Sequence, residues 1–155
     1  MNKTDLIKAI SNNQKMSWLY LLAIEKKSEK RNIIERYIKF GRTTNLIQRY
    51  KRFSKDYADY EIGYIWTTQQ EGIQLTEPHA HIIEKILKLS LNKSFQKYSD
   101  FSDKKIHGYT EIYMAEQITD DEIVFYVKTE LRSITRINSK DLNQLNIWGI
   151  KTYAN

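Results

Sequence analysis

An unbroken apolar run near the start of the chain and the segment that follows it predict two neighbouring strands. The residues from Ser17 to Glu25 read SWLYLLAIE, a composition typical of a strand buried on both faces. The polar stretch 26–32, KKSEKRN, predicts an exposed loop or hairpin tip. Residues 33–42 then predict a second strand that ends near Gly41.

Helical periodicity is clearest in two later segments. Leu46, Tyr50 and Phe53 recur at i, i+4 and i+7, which predicts a helix over 45–54 with Thr44 as its N-cap and these three residues as its core stripe. A second helix over 76–91 opens with Thr-Glu-Pro, and proline is favourable in a first turn, where its missing N–H costs nothing. The remaining predicted elements are a short helix over 3–13, strands over 60–68 and 110–115, a helix over 120–137 and a further turn or two over 139–146.

This order of elements predicts an α+β fold. We expect a small three-stranded, mostly antiparallel sheet flanked by helices, with an additional C-terminal helix. The chain of 155 residues is long enough for one core and shows no repeat or low-complexity linker. The prediction is therefore a single domain over 1–155, with a core over about 17–115 and a helical extension over 116–155.

Composition narrows the class of protein. Hydrophobic residues make up 41% of the chain, which is typical of a globular domain. There is no cysteine, so disulfides and thiolate metal sites are excluded. No run of apolar residues approaches the ~18 that a membrane span needs. We expect no membrane partner, and a location in the cytoplasm or, in a eukaryotic host, the nucleus.

Positive charge is concentrated in the first third of the chain. Residues 1–55 hold 14 Lys and Arg against 4 Asp and Glu, whereas the remainder holds 11 against 15. A one-sided basic surface is typical of proteins that bind phosphate, although a generally basic, AT-biased proteome gives a similar bias. The residues expected to contact the nucleic-acid backbone are Lys26, Lys27, Lys30, Arg31, Arg42, Lys51 and Arg52.

Glu84 is the most informative candidate for chemistry. It shares a helical stripe with Ala80, Leu87 and Leu91, and a carboxylate within an apolar stripe is costly unless it is paired or holds a metal. The alternative is an ion pair with Lys88 at i, i+4, with Glu84 leaning out at the helix edge. The residues alone leave both interpretations open.

Three further candidates each have an ordinary structural interpretation. Tyr20 lies inside the first apolar strand, where most tyrosines are core residues. Lys39 lies in mid-strand, a place that is usually solvent-facing. Arg49 flanks the buried stripe of its helix, where it could clamp a phosphate or cover the edge of the core.

Together, these residues form a pattern that resembles the GIY-YIG nuclease superfamily. Trp18-Leu19-Tyr20 and the segment KFGRTTNLIQR, from Lys39 to Arg49, resemble its two opening motifs. The second is similar to a branch, common in phages and large DNA viruses, that has Lys where the second motif usually has Tyr. Glu84 in HIIEKILKL matches the metal-binding Glu of that branch, and GYTEIY at 108–113 is similar to its closing strand. The resemblance covers roughly residues 17–115.

The resemblance implies a metal-dependent endonuclease that hydrolyses DNA phosphodiester bonds. Glu84 would bind Mg²⁺ or Mn²⁺, which polarises the scissile phosphate. Tyr20, as a phenolate stabilised by Lys39, would activate the attacking water, and Arg49 would brace the phosphate. Because each chain would have a single site, a cut through both DNA strands is simplest for a homodimer.

Two departures from the family pattern bear on this expectation. Trp18-Leu19 stands where the first motif begins with Gly-Ile, and Phe53 stands where many members have His or Tyr. The loss of that second candidate base leaves more of the chemistry to Tyr20. The alternatives are a catalytically inactive nucleic-acid-binding domain of the same fold and a domain that binds an acidic protein partner.

Overall fold

The computed structural model describes residues 15–96, 112–116, 118–135 and 151–152. The helix predicted over 3–13 and the turns predicted over 139–146 lie outside these residues.

A long antiparallel hairpin forms the centre of the sheet. Its strands are β1 (Met16–Lys27) and β2 (Ile33–Thr43), each slightly longer than predicted. The register pairs Tyr20 with Gly41 and Leu22 with Lys39. The hairpin prediction is therefore confirmed, with the charged residues at its tip.

Four more strands complete an antiparallel sheet. The strand β3 (Glu61–Thr67) lies on the other edge of β1, followed by β4 (Ile73–Thr76) on β1, β5 (Ile112–Met114) on β2 and β6 (Lys151–Thr152) on β4. The predicted α+β class is confirmed. The sheet is larger than the predicted three strands because β4, β5 and β6 add short edge segments of two to four residues.

Helices cover both faces of the sheet. The helix α1 (Leu46–Asp56) packs on one face, and α2 (Glu77–Ser94) and α3 (Asp120–Thr135) pack on the other. Because side chains alternate along each strand, the two faces have separate cores. The α2 and α3 side is built on Leu19, Leu21, Ile38 and Phe40, and the α1 side on Tyr20, Leu22, Tyr37 and Phe53.

The helix starts agree with the sequence to within a residue. The N-cap of α1 is Asn45 rather than the predicted Thr44, because the Asn45 side chain accepts a hydrogen bond of 3.0 Å from the Gln48 backbone N–H. The helix α2 begins after Thr76 with Pro78 in its first turn, as predicted. Among the described residues, no helix is long and apolar enough to cross a membrane.

Candidate active site

A cavity of about 320 Å³ opens where β2 ends and the chain enters α1. Its walls come from β1, β2, α1 and α2, four elements that are separate in the sequence. The four predicted catalytic residues, Tyr20, Lys39, Arg49 and Glu84, all line it. The other lining residues are Gly41, Arg42, Thr43, Thr44, Glu77 and Lys88.

The strand register brings Tyr20 and Lys39 to the same face of the sheet. Tyr20 pairs with Gly41, and Lys39 lies two residues before Gly41 on β2. Diagonal neighbours of this kind have Cα atoms roughly 7–8 Å apart, within reach of two long side chains. Lys39 is only 2% exposed, so the usual solvent-facing role of a mid-strand lysine does not apply.

The absence of a side chain at Gly41 makes room for the Tyr20 ring. A Cβ atom at residue 41 would lie 2.5 Å from the Tyr20 hydroxyl oxygen and 2.8 Å from the ring carbon that bears it. The phenol therefore rests directly on the glycine backbone, in space that any other residue would fill. Gly41 is thus required for the tyrosine position.

Phe53 links the residues on the α1 side of the cavity. Its buried ring lies 5.7 Å from Lys39 Nζ and 5.9 Å from the Arg49 guanidinium carbon, both within cation–π range. The same ring is 6.0 Å from that of Tyr20. One aromatic side chain thereby contacts three of the four predicted residues.

A second tyrosine borders Tyr20 but differs from it chemically. The Tyr64 ring lies 5.4 Å from the Tyr20 ring, and its hydroxyl donates a hydrogen bond of 2.8 Å to the Leu46 carbonyl. Burial raises the pKa of Tyr64 to about 12, although the nearby Arg49 charge acts in the opposite direction. Tyr64 therefore stays a neutral donor at physiological pH and has a structural role.

Glu84 lies on the buried stripe of α2 and is only 7% exposed. Its Oε1 atom is 3.4 Å from Lys88 Nζ and 3.7 Å from Arg42 Nε. The i, i+4 pair with Lys88 is present, but Glu84 does not lean out at the helix edge, as that alternative had it. Both distances exceed the ~2.7–2.9 Å of a charge-assisted hydrogen bond, so the carboxylate keeps capacity for a further ligand.

Arg42, one of the residues expected to contact the nucleic-acid backbone, lies in the cavity wall. Strand alternation turns it toward α2, where it is 3.5 Å from a Glu77 carboxylate oxygen and 3.1 Å from His81 Nδ1. Its Nε atom is buried and has no hydrogen-bond partner among the described residues. A buried N–H group usually has a hydrogen-bond partner, so the polar network around Arg42 and Glu84 is incomplete among the described residues.

The donor set at Glu84 fits a magnesium ion. Mg²⁺ prefers oxygen ligands and is often held by one or two carboxylates while it retains several waters. In the described part of the chain, no three His, Asp or Glu residues cluster closely enough to cage a metal. A single buried carboxylate such as Glu84 could hold a hydrated Mg²⁺ or Mn²⁺ that keeps most of its waters.

The predicted phosphate contacts at the hairpin tip lie far from the cavity. Lys27 is seven residues beyond Tyr20 on β1, which corresponds to roughly 20–25 Å. Lys27 and Arg31 pair with Glu61 at 2.9 Å and 2.8 Å, and Lys26 lies over the Tyr60 ring. Lys30 is exposed on the turn.

The basic residues of α1 lie nearer to the cavity than those of the hairpin tip. Lys51 and Arg52 are both exposed on the same helix as Arg49. On α2, the His79 ring lies within hydrogen-bond distance of the Thr76 hydroxyl, whereas His81 contacts Arg42. Burial lowers the pKa of His79.

Sequence reasoning missed several contributors to the cavity. Gly41 and Phe53 act through contacts across strands and helices, for which the local pattern carries no signal. Glu77 could have been noticed, because it lies seven residues before Glu84 and thus on the same face of α2. Arg42 could have been placed by its strand parity with Phe40, which faces α2.

Comparison of the chain with protein-family models, with curated proteins and with solved structures returned no match. The function is therefore inferred from the cavity itself.

Proposed function

We propose that this protein is a metal-dependent endonuclease that hydrolyses DNA phosphodiester bonds, with the architecture of the GIY-YIG superfamily. One observation carries the proposal: Tyr20, Lys39, Arg49 and Glu84, which span 65 residues of sequence, line a single cavity. A tyrosine, two cations and a carboxylate are groups that can together activate water, stabilise the charge on a phosphodiester and hold a metal ion.

In this proposal, the chain supplies a base and an electrostatic clamp. Tyr20, as the phenolate, takes a proton from a water molecule, and the resulting hydroxide attacks phosphorus as the bond to the leaving 3′ oxygen breaks. The 3′ oxygen takes up a proton from solvent, which leaves a 3′ hydroxyl and a 5′ phosphate. Lys39 stabilises the phenolate through its charge. Arg49 donates hydrogen bonds to the phosphate oxygens as negative charge develops on them.

Phe53 holds the two cations apart on one aromatic surface, which limits the freedom of both side chains. Glu84 would hold Mg²⁺ or Mn²⁺. When bound, that ion supplies Lewis acidity to the phosphate. Arg42 and Lys88, at 3.7 Å and 3.4 Å from Glu84 Oε1, compensate the charge of the carboxylate.

The test is nicking of supercoiled plasmid DNA by the purified protein in Mg²⁺ and in EDTA. We expect cleavage in Mg²⁺ only, and its loss in Glu84→Gln, which keeps the volume of the side chain and removes its charge. Glu122→Gln is the matched control, because Glu122 is an exposed carboxylate on α3. Undiminished cleavage by Glu84→Gln would refute the metal assignment.

The second candidate is a catalytically inactive nucleic-acid-binding domain of the same fold. The observation that favours it is Phe53, which offers no group for proton transfer beside Arg49. Such a domain would bind DNA equally in EDTA and in Mg²⁺ and would not nick it. The plasmid assay therefore separates the two candidates.

The cavity contains one set of the four residues, so a double-strand cut would follow most simply from a homodimer with two cavities. The lack of cysteine fits action in a reducing compartment, the cytoplasm or the nucleus of a eukaryotic host.

A further inference from the structure

A second concave surface borders α1, along residues of the helix other than Arg49. This groove has a volume of about 530 Å³, and its lining is mostly apolar. Ile47, Tyr50 and Lys51 of α1 form one wall, and Tyr64, Gln69 and Gln70 contribute to the other. Arg49, which lines the cavity, and Tyr50, which lines the groove, are consecutive residues of α1, so their side chains project about 100° apart around the helix axis.

Tyr64 joins the two sites. Its ring lies 5.4 Å from Tyr20, in the cavity, and 5.9 Å from Tyr50, in the groove. The Tyr50 hydroxyl donates to the Ile62 carbonyl at 3.2 Å, which holds its ring in one orientation although 38% of the residue is exposed. A fixed, accessible aromatic ring is a surface on which a planar ligand can stack.

The polar groups at the end of the groove are amides. Gln69 is exposed, and the Gln70 side-chain oxygen accepts a hydrogen bond of 3.3 Å from the Thr67 backbone N–H. That bond leaves the Gln70 NH₂ group as a donor. Glutamine side chains offer the donor and acceptor geometry that reads the edge of a nucleobase.

Charge complementarity indicates the kind of ligand. Lys51 lies in the groove wall, and none of the described residues that line the groove is acidic. An apolar slot with aromatic and amide groups and a cation in its wall suits a base that is attached to a phosphate backbone.

We propose that this groove binds an unpaired base of the DNA strand whose phosphate lies in the neighbouring cavity. The inference rests on the proposed function and adds the substrate class: single-stranded DNA, or DNA with unpaired bases beside the cut. A base in a duplex must first be unstacked, which costs a few kcal/mol, so a substrate with bases already unpaired is preferred.

The experiment compares the binding of two strands that have the same number of phosphates. One is a short oligothymidylate, and the other is its abasic equivalent. Binding is measured in EDTA by fluorescence anisotropy, so that cleavage does not enter. We expect the wild-type protein to prefer the base-bearing strand by about tenfold, within the range for stacking of one base on an aromatic ring.

Tyr50→Leu should bring this preference close to unity and leave the affinity for the abasic strand unchanged. A matched pair of exposed isoleucines keeps the test independent of the folding of that variant. Ile47→Ser, in the groove, should reduce the preference, whereas Ile82→Ser, on α2 and outside both sites, should not. Circular dichroism confirms that each variant is folded.

A wild-type preference that persists in both Tyr50→Leu and Ile47→Ser overturns the inference. So does equal binding of the two strands by wild type, which would assign the groove to another occupant, such as an apolar peptide. A base preference without Mg²⁺-dependent nicking refutes the proposed function alone, and nicking without a base preference refutes the groove alone. Failure to bind either strand refutes the groove assignment, and the nicking assay then decides the proposed function separately.

Discussion

The hairpin tip and the cavity both concentrate positive charge. At the tip the charges are exposed and closely paired, whereas in the cavity they are buried and more loosely paired. At the tip, Lys27 and Arg31 make close contacts with one exposed carboxylate, Glu61. Hydrogen bonds from Lys27 and Arg31 lower the pKa of Glu61. In the cavity, Lys39 and Glu84 are almost fully buried, and the ion pairs of Glu84 are longer.

The ion pairs at the hairpin tip are shorter than those in the cavity, but we expect them to contribute less to stability and function. Exposed ion pairs contribute about 0–1 kcal/mol, because water and salt screen them. Buried charges are costly to leave uncompensated, so each partner in the cavity matters to the others. A basic residue therefore indicates a functional site when it is buried beside an incomplete network, and carries less information when it is exposed and already paired.

Removal of the Tyr20 hydroxyl should have the largest effect. We expect Tyr20→Phe to reduce the rate of plasmid nicking by about 10²–10⁴-fold, because the base is lost, with DNA affinity unchanged. The matched control near the hairpin is Tyr60→Phe, which removes the hydroxyl that donates to Glu35 at 3.1 Å. Equal rates for Tyr20→Phe and wild type would remove Tyr20 from the site.

Filling the space below the Tyr20 ring should have the next largest effect. Gly41→Ala introduces a Cβ atom 2.5 Å from the phenol oxygen, so the ring must move. We expect a loss of about 1–3 kcal/mol in the free energy of unfolding, measured by urea denaturation, and a large loss of nicking. Gly63→Ala on β3 is the control, since a Cβ there meets no atom within 4 Å. If both variants behave alike, the close approach at Gly41 has no functional role.

Loss of the aromatic ring at residue 53 should act more moderately. Phe53→Leu keeps an apolar side chain but removes both cation–π contacts, each of about 0.5–2 kcal/mol. We expect the single-turnover rate to fall by about tenfold, because Lys39 and Arg49 are held less firmly. Phe53→Tyr, which keeps an aromatic ring at this position, should retain most of the wild-type rate. Equal losses in both variants would indicate a packing defect instead.

Removal of charge from the hairpin tip should have the smallest effect. In the double variant Lys27→Ala and Arg31→Ala, we expect unchanged nicking of bound DNA. The slope of the logarithm of the binding constant against the logarithm of the salt concentration should hardly change, because neither cation contacts the bound DNA. A loss that approaches about two units, one for each cation, would show that DNA reaches the tip, which requires a duplex to extend roughly 6–7 base pairs beyond the cavity.

The hairpin, the second helix and the helical stripe that contains Glu84 could be predicted because their signals are local. An apolar run, a charged turn and the spacing of Ala80, Glu84, Leu87 and Leu91 are properties of contiguous segments. The candidate residues were selected through a family resemblance, and their common cavity is a property of the fold.

What could not be predicted depends on contacts between distant segments. The burial of Lys39 follows from its position opposite Leu22 and beside Phe53. Tyr50 was expected in the core stripe of its helix, yet it is 38% exposed, because the groove leaves that side of α1 uncovered. The strands β4 and β6 form because they pair with neighbouring strands. They have too few residues to show the alternation of apolar and polar side chains that identifies a strand in the sequence.

The most direct test of the central claim is to locate the metal. Titration of the isotope-labelled protein with Mn²⁺ broadens the amide resonances near the bound ion. We predict broadening at Gly41–Thr44 and around Glu84, none at the hairpin tip over 28–32, and loss of the effect in Glu84→Gln. Broadening centred on the tip or on the acidic start of α3, or broadening that survives in Glu84→Gln, would contradict the account.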